Sequence, residues 1–421
     1  MALFRTAIKI IYLALVTALI LTILLKIKQT AQDQKKYDSL PDYDELHEFD
    51  PEREGGHLLP NLNGLFKSDR SSKAIRWITN SKGFRNEKEF PYTPDERTFR
   101  ILFLGDSYVD GLRTDQTKTI GYLLEKELNE KMFSDKFDRY EVMISGHNNP
   151  VNAWYYYQRH GYKYKPDLVL LGVTISNDLT WNSYRVTFVP VKDARGRPRL
   201  EKTGRTINGR QPEEGLIIPE DGYVKKSSLD IFLDIERVAR MLLSKWSAPF
   251  SHEAPPTLKP PLNSPRHIYA TKVGIPLGLF YIPIMPEVET IYSDLEETLT
   301  GFKDAVDETG SRLAVVLFPV SIQLHEKEWD LLKRLYFLDE KKFDLDYPDK
   351  RLFRLCQKNN IPCMDVLPAF KEISQKNRGT RLYRLRGDMH FNEKGQEITA
   401  AALYKFIRST LEIGIFEKGE P

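Results

Sequence analysis

Short apolar runs alternate with amphipathic stretches between residues 100 and 412, and this pattern predicts strands that alternate with helices. Five apolar runs, each ending near a turn, are predicted strands: 100–104, 140–144, 167–173, 312–318 and 361–367. Helical patterns follow or separate them at 119–132, 152–161, 287–309 and 393–410. This order predicts an α/β fold, a three-layer α/β/α sandwich around a five-stranded, mostly parallel sheet.

The alternation is interrupted at about 180–285, which predicts an insertion because ordinary connections have only a few residues. Within it, 184–190 and 199–201 predict a hairpin. The stretch 229–246 predicts an amphipathic helix, and the proline-rich stretch 254–265 predicts a loop. Long loops beside a functional edge often shape access to it, so we expect the insertion to border the substrate.

Residues 8–27 form an almost unbroken apolar run, which predicts a transmembrane anchor after a short tail at 1–7. At ~1.5 Å per residue, a helix of this length crosses a hydrocarbon core of ~30 Å. A cleaved signal peptide is the alternative, but bulky and charged residues at 24–28 replace the small residues of a cleavage site. Arg5, Lys9 and the α-amine lie at the start of the run, and Lys26, Lys28, Lys35 and Lys36 lie at or after its end, so the positive-inside rule favours neither orientation. The polar, acidic segment 28–74 reads as a stalk or linker.

The composition sets limits on partners. Hydrophobic residues make up 41% and charged residues 29%, as in ordinary globular proteins. The 62 basic and 59 acidic residues nearly balance, so no nucleic-acid partner is expected. Cys356 and Cys363 are compatible with a disulfide outside the cytosol or with two buried thiols. Two cysteines alone cannot form a structural zinc site, and we expect neither a metal nor another cofactor.

Polar residues and glycines cluster after the first three predicted strands and before the last helix. They form the segments GDSYVDG (105–111), SGHNN (145–149), SND (176–178) and GDMHFN (387–392). Because an open parallel sheet binds ligands at the carboxyl ends of its strands, we expect these segments to meet there.

Ser107 is the predicted nucleophile, because it lies where the first strand gives way to a helix. A serine needs a base within about 3 Å, and His390 is the predicted base, since it precedes the last helix. Asp388, two residues earlier, can hold the imidazole in one tautomer and stabilise the imidazolium. The alternatives are a capping serine, a surface loop with a capping pair around His390, and His147 as the base.

Acyl transfer also requires N–H donors for the oxyanion of the tetrahedral intermediate. Gly146 can bring its backbone N–H close to a substrate because it has no Cβ. Asn177 can supply a side-chain NH₂, and the backbone N–H of Ser107 is a third donor. Taken singly, the glycine and the asparagine are equally compatible with ordinary turns.

Taken together, GDSYVDG, the glycine after the second strand, SND and DMHFNEKG resemble the four sequence blocks of the SGNH (GDSL-like) hydrolase family, which has a flavodoxin-like sheet. The resemblance covers about 75–412, leaves a tail at 413–421, and includes NSKGFR (80–85) and IPCMDVLP (361–368). It implies that the family's catalytic serine, glycine, asparagine and histidine correspond to Ser107, Gly146, Asn177 and His390.

Two departures from the family pattern concern the aspartate and the glycine. Asp388 lies two residues before the histidine rather than three, as in the branch that resembles polysaccharide O-acetyltransferases. The second block reads SGHNNP instead of a small-residue turn, which weakens the correspondence at Gly146.

The resemblance implies a membrane-anchored serine esterase, lipase or deacetylase that acts on O-acyl esters through a Ser–His(–Asp) acyl-enzyme. It further implies acylated glycan or lipid as substrate and an extracytoplasmic domain, periplasmic or extracellular. An O-acyltransferase of envelope polysaccharide or lipid would use the same residues, and a non-catalytic glycan-binding scaffold would share the fold. A nucleotide-binding domain is disfavoured because neither GxGxxG nor GxxxxGK[ST] follows any predicted strand.

Overall fold

The computed structural model describes residues 2–40, 47–49, 56–67, 74–146, 149–179, 188–192, 198–202, 276–377, 379–384 and 389–412. Its strands in chain order are β1 His47–Phe49, β2 Gly56–Leu58, β3 Asn63–Lys67, β4 Ala74–Ile78, β5 Thr98–Leu104, β6 Arg139–Ser145, β7 Leu168–Thr174, β8 Phe188–Lys192, β9 Pro198–Lys202, β10 Arg312–Phe318 and β11 Cys363–Asp365. Its α-helices of four or more residues are α1 Ala2–Asp38, α2 Ser107–Asp110, α3 Ile120–Lys131, α4 Pro150–Arg159, α5 Pro286–Asp307, α6 Glu326–Tyr336, α7 Tyr347–Lys358, α8 Leu367–Lys376 and α9 Glu393–Glu412.

Five parallel strands form the central sheet in the order β11-β10-β7-β5-β6. Counted along the chain, this is the order 2-1-3-4-5 of a flavodoxin-like sheet, in which the strand order reverses between β5 and β7. The α/β fold with a five-stranded parallel sheet is therefore confirmed. The edge strand β11 is shorter than predicted, with Pro362, which has no N–H, directly before it.

Helices cover both faces of the sheet, which makes three layers. Ile101 and Phe103 of β5 pack into the core beneath α3 and α9, whereas Leu102 packs into the opposite core beneath α4 and α5. Every residue of β5 and of β7 is buried. The alternation follows from the period of two along a strand, and burial on both faces explains the unbroken apolar runs.

The observed α4 begins two residues before its predicted start. The side chain of Asn149 caps the helix by accepting the N–H of Asn152 at 2.9 Å. Pro150 occupies the first turn, where its missing N–H costs nothing. Asn149 and Pro150 are therefore the start of this helix.

The antiparallel hairpin β3–β4 lies mostly inside the segment 28–74 that was predicted as a stalk. Phe66, Ile75 and Trp77 from this hairpin pack with Leu112, which follows α2. The Trp77 ring also lies over the Arg85 guanidinium, with 3.6 Å between the guanidinium carbon and the ring centroid. The folded body thus begins earlier in the chain than the predicted boundary at residue 75.

The N-terminal helix α1 extends well beyond the predicted span 8–27. It contains Leu15–Asp33, which is long and apolar enough to cross a membrane, a test that a signal sequence also passes. Residues 29–36 are mostly good helix formers, which explains why the helix continues past the apolar run. Anchoring by this helix stays a prediction.

The hairpin predicted in the insertion is present as the antiparallel pair β8–β9. The predicted helix at 229–246, the predicted loop at 254–265 and the predicted tail at 413–421 lie outside the described residues.

We expect Trp77→Ala to lower the free energy of unfolding of the full-length chain by about 3–5 kcal/mol, because it removes a buried aromatic ring and its contact with Arg85. Denaturant titration in detergent measures this change. Leu65→Ala is the matched control on the same hairpin, since Leu65 is 49% exposed and its loss should cost about 1 kcal/mol or less. Equal effects of the two substitutions would contradict the packing role of Trp77.

Candidate active site

Ser107 lies at the carboxyl end of β5, at the first position of α2. Asp106 caps this helix by accepting the N–H of Tyr108 at 2.9 Å. The turn needs a glycine at position 105, because a Cβ there would lie 2.3 Å from a methyl group of Val109. The short strand-to-helix turn therefore follows from the GDS sequence, and it leaves Ser107 half-buried at the sheet edge.

His390 reaches Ser107 from the loop that precedes α9. The Oγ atom of Ser107 lies 2.7 Å from Nε2 of His390. With a proton on Nδ1, the imidazole accepts a hydrogen bond from the serine hydroxyl through Nε2. The structure thus brings the two residues together at a distance that suits proton transfer.

Backbone contacts hold the loop that carries His390. The carbonyl of His390 accepts the N–H of Arg384 at 2.9 Å, and the carbonyl of Leu382 accepts the N–H of Asn392 at 2.9 Å. The hydroxyl of Tyr383 donates to the carbonyl of Pro319 at 2.8 Å, just beyond β10. These bonds tie the loop to the carboxyl end of the sheet.

The predicted partner of His390, Asp388, lies outside the described residues, as does the alternative base His147. Asp106 is a second acidic group near His390. It is buried, and its charge interacts with that of His390. Burial raises the pKa of Asp106 above its usual value, whereas the hydrogen bond from Tyr108 and the charge of His390 act in the opposite direction.

Asn177 lies in the turn after β7, next to the strand that leads to Ser107. Its Nδ2 donates to Oδ2 of Asp106 at 3.2 Å. An amide carries two N–H groups, so this bond orients the side chain while it uses one of them. Asn177 and Ser107 thus flank the position where the strand order reverses, the usual ligand site of such sheets.

Gly146 follows β6, and its N–H donates to Oδ1 of Asp110 at 2.9 Å. A Cβ at this position would lie 2.0–2.3 Å from the carboxylate atoms of Asp110, so only glycine fits. The N–H that the sequence predicted as an oxyanion donor is therefore engaged by a buried carboxylate in this structure.

Asp110 is fully buried at the end of α2. Its pKa is raised to about 7, chiefly by burial and in smaller part by the nearby charge of Asp106, while the charge of Arg85 and the Gly146 N–H bond act in the opposite direction. The buried guanidinium of Arg85 also donates to the carbonyls of Asp110, of Gly111 at 2.9 Å and of Thr114 at 2.6 Å. One cation thus fixes the loop that follows α2.

Asp178, the third residue of SND, supports the turn that carries Asn177. Its Oδ2 accepts the N–H of Thr174 at 2.8 Å. Burial, and then the charge of Asp106, raise the pKa of Asp178 well above its usual value. This aspartate is therefore a buried structural group rather than an exposed base.

The sequence reasoning missed Asp106, Tyr108 and Asp110 as site residues, although all three stand in GDSYVDG. Asp110 follows Ser107 by three residues, which places both near one side of a helical turn. This spacing is the feature of the sequence that indicates a position for Asp110 near the site. Among the described residues, no group of three or more His, Cys, Asp or Glu side chains is arranged to hold a metal ion.

Comparison with known proteins gives distant structural similarity only. No family model matches the sequence, and no curated protein matches it. The acetyl xylan esterase AlAXEase is 12% identical, with coverage of 73% of this chain and 98% of that chain and a TM-score of 0.36. LAE5, an alpha/beta hydrolase enzyme from the metagenome of Lake Arreo, Spain, is 13% identical, with coverage of 73% and 94% and a TM-score of 0.36. Axe2, an acetylxylan esterase from Geobacillus stearothermophilus, is 14% identical, with coverage of 75% and 95% and a TM-score of 0.35. At these values the similarity carries no information on activity.

The raised pKa of Asp110 predicts a pH-dependent loss of stability. Because its pKa is about 7 in the folded protein and near 3.8 when unfolded, its stabilising contribution is complete below pH ~4 and is lost as the pH rises through 7. Relative to Asp110→Asn, the wild type should lose on the order of 2–3 kcal/mol of unfolding free energy between pH 5 and pH 8. Asparagine keeps an acceptor for the Gly146 N–H, so the variant is a matched control. Parallel pH profiles for both proteins would contradict the burial of an ionisable group here.

Proposed function

We propose that the protein is a serine hydrolase of O-acyl esters, with Ser107 as nucleophile and His390 as base. The 2.7 Å contact between Ser107 Oγ and His390 Nε2 is the observation that carries this proposal. It joins a serine at the carboxyl end of the first central strand to a histidine near the end of the chain, where ligands of such sheets bind.

In the first half-reaction, Ser107 Oγ attacks the ester carbonyl carbon while its proton moves to Nε2 of His390. The tetrahedral intermediate collapses as the bond to the alcohol oxygen breaks, and the imidazolium returns the proton to this leaving group. An acyl-enzyme on Ser107 remains. Water then attacks the acyl carbon while His390 takes its proton, the bond to Ser107 Oγ breaks, and the imidazolium returns the proton to Oγ as the carboxylic acid leaves.

The oxyanion of each tetrahedral intermediate needs preorganised donors. The backbone N–H of Ser107 and the side-chain amide of Asn177 are the donors we propose, because the Asn177–Asp106 bond holds the amide beside Ser107. Gly146 is a weaker candidate than the sequence indicated, since its N–H would first have to leave the Asp110 carboxylate.

A carboxylate that orients the imidazole completes the proposed mechanism. We assign this role to Asp388 because it lies two residues before His390 in the sequence. Asp106 is a buried acidic group whose charge interacts with that of His390, but burial raises its pKa, so the orienting role stays with Asp388 in this proposal.

We also propose that α1 anchors the protein in a membrane, with Leu15–Asp33 as the membrane-spanning segment. Its length and apolar character support this assignment. An anchored esterase outside the cytosol acts on acylated glycans or lipids at the membrane surface, and these are the proposed substrates.

Ser107→Ala should abolish hydrolysis of p-nitrophenyl acetate by the full-length chain in detergent, with kcat at least about 10³-fold lower, because the attacking oxygen is lost. It should also abolish labelling by a fluorophosphonate probe, which reacts with activated serines. Ser409→Ala, at an exposed position on α9, is the control and should retain both. Equal rates for Ser107→Ala and the wild type would rule out Ser107 as nucleophile.

Asn177→Ala should lower kcat by about 10²-fold, as expected when one oxyanion donor is removed. Steady-state kinetics with p-nitrophenyl acetate measure this change, and fluorophosphonate labelling should slow in parallel. Unchanged kcat in a folded Asn177→Ala variant would remove Asn177 from the oxyanion hole.

A further inference from the structure

Tyr108 contacts the loop that carries His390, although it belongs to the helix that begins with Ser107. We infer that Tyr108 is a positioning residue, which holds His390 in register with Ser107. The inference rests on the proposed function, because it assigns a role relative to the base of that mechanism.

The first support is a hydrogen bond from the Tyr108 hydroxyl to the backbone carbonyl of Met389. Met389 directly precedes His390, whose imidazole is bonded to Ser107. Two consecutive residues of α2 therefore bond two consecutive residues of the loop. This pairing restrains both the ring of the base and the backbone that carries it.

The second support is the packing of the Tyr108 ring, which is 1% exposed. Its centroid lies 4.8 Å from that of Phe391 in an edge-on arrangement and 5.8 Å from that of Phe318 in a stacked one. The His390 ring is 5.1 Å away. Because aromatic neighbours enclose the ring, the hydroxyl is held in place and cannot swing away from the loop.

The third support comes from the direction of the other contacts of the loop. Arg384 bonds the carbonyl of His390 within the loop, and Tyr383 bonds Pro319 beyond β10. These contacts fix the loop to itself and to the sheet. The contact from Tyr108 fixes it to the nucleophile helix, so it acts on the distance between Ser107 Oγ and His390 Nε2.

Removal of the Tyr108 hydroxyl should let the distance between Ser107 Oγ and His390 Nε2 vary more widely. It should do so without removing a group that touches substrate. A small misplacement of reacting groups strongly slows a reaction, whereas substrate binding depends on other contacts. We therefore expect Tyr108→Phe to lower kcat by roughly 10-fold, because a misaligned general base contributes less to the rate. KM should stay within about 2-fold of the wild-type value.

The test compares Tyr108→Phe with Tyr404→Phe in the full-length chain in detergent. The hydroxyl of Tyr404 donates to the carbonyl of Lys131 at 3.2 Å and joins α9 to α3, so its loss is the same chemical change away from the loop. Both variants should show similar shifts in thermal unfolding midpoint. The decrease in kcat and in the rate of fluorophosphonate labelling should occur in Tyr108→Phe alone.

A rescue experiment distinguishes a positioning role of the Tyr108 hydroxyl from a packing role of its ring. Incorporation of p-aminophenylalanine at position 108 keeps the ring and restores an N–H donor toward Met389, so kcat should recover at least several-fold relative to Tyr108→Phe. Absence of recovery, a wild-type kcat in Tyr108→Phe, or equal losses in both phenylalanine variants would overturn the inference. Should Tyr108→Phe fail to fold, p-fluorophenylalanine at position 108, which keeps the ring but has no N–H or O–H donor, takes its place in both comparisons.

The two proposals fail in different ways. A fully active Ser107→Ala variant would overturn the proposed function, whatever Tyr108→Phe does. An inactive Ser107→Ala together with a fully active Tyr108→Phe would overturn only the positioning role.

Discussion

The hydrogen bond between Ser107 and His390 constrains the rest of the structure, because it joins positions 283 residues apart. Such a contact forms only if the carboxyl end of β5 and the entry to α9 meet at one edge of the sheet. Parallel strands that all end at that edge satisfy the requirement. The close approach of β5 and α2 at Gly105 brings the serine to the edge, and the aromatic residues around Phe391 bring the histidine.

Buried ionisable groups surround this contact and give the site its electrostatic character. Asp106, Asp110 and Asp178 all have raised pKa values, chiefly because burial disfavours their charged forms. Arg85 is a positive charge in the same region, and backbone carbonyls occupy most of its donors. Each carboxyl group also accepts a backbone N–H, so the loops on which the site is built are fixed by polar contacts rather than by apolar packing alone.

The sequence was sufficient to predict the fold and the meeting of Ser107 with His390, but not the contacts beneath them. Strands β5 and β7 can be predicted from the sequence because burial on both faces leaves an unbroken apolar run. The hydrogen bond between Gly146 and Asp110 cannot be predicted in this way, because it depends on how two loops from different strands pack. The hairpin β3–β4 falls mostly in the segment predicted as a stalk, because its strands are short and the acidic residues before it resemble a linker.

The placement of that hairpin determines where in the chain the support of the site begins. Trp77 covers Arg85, and Arg85 holds the loop behind the nucleophile helix, so the chain between the apolar helix and the sheet is part of the site's support. A body that began after the hairpin would lack Trp77, and Arg85 would then lose its aromatic cover. The hairpin is therefore as much a part of the nucleophile's support as the strand that carries it.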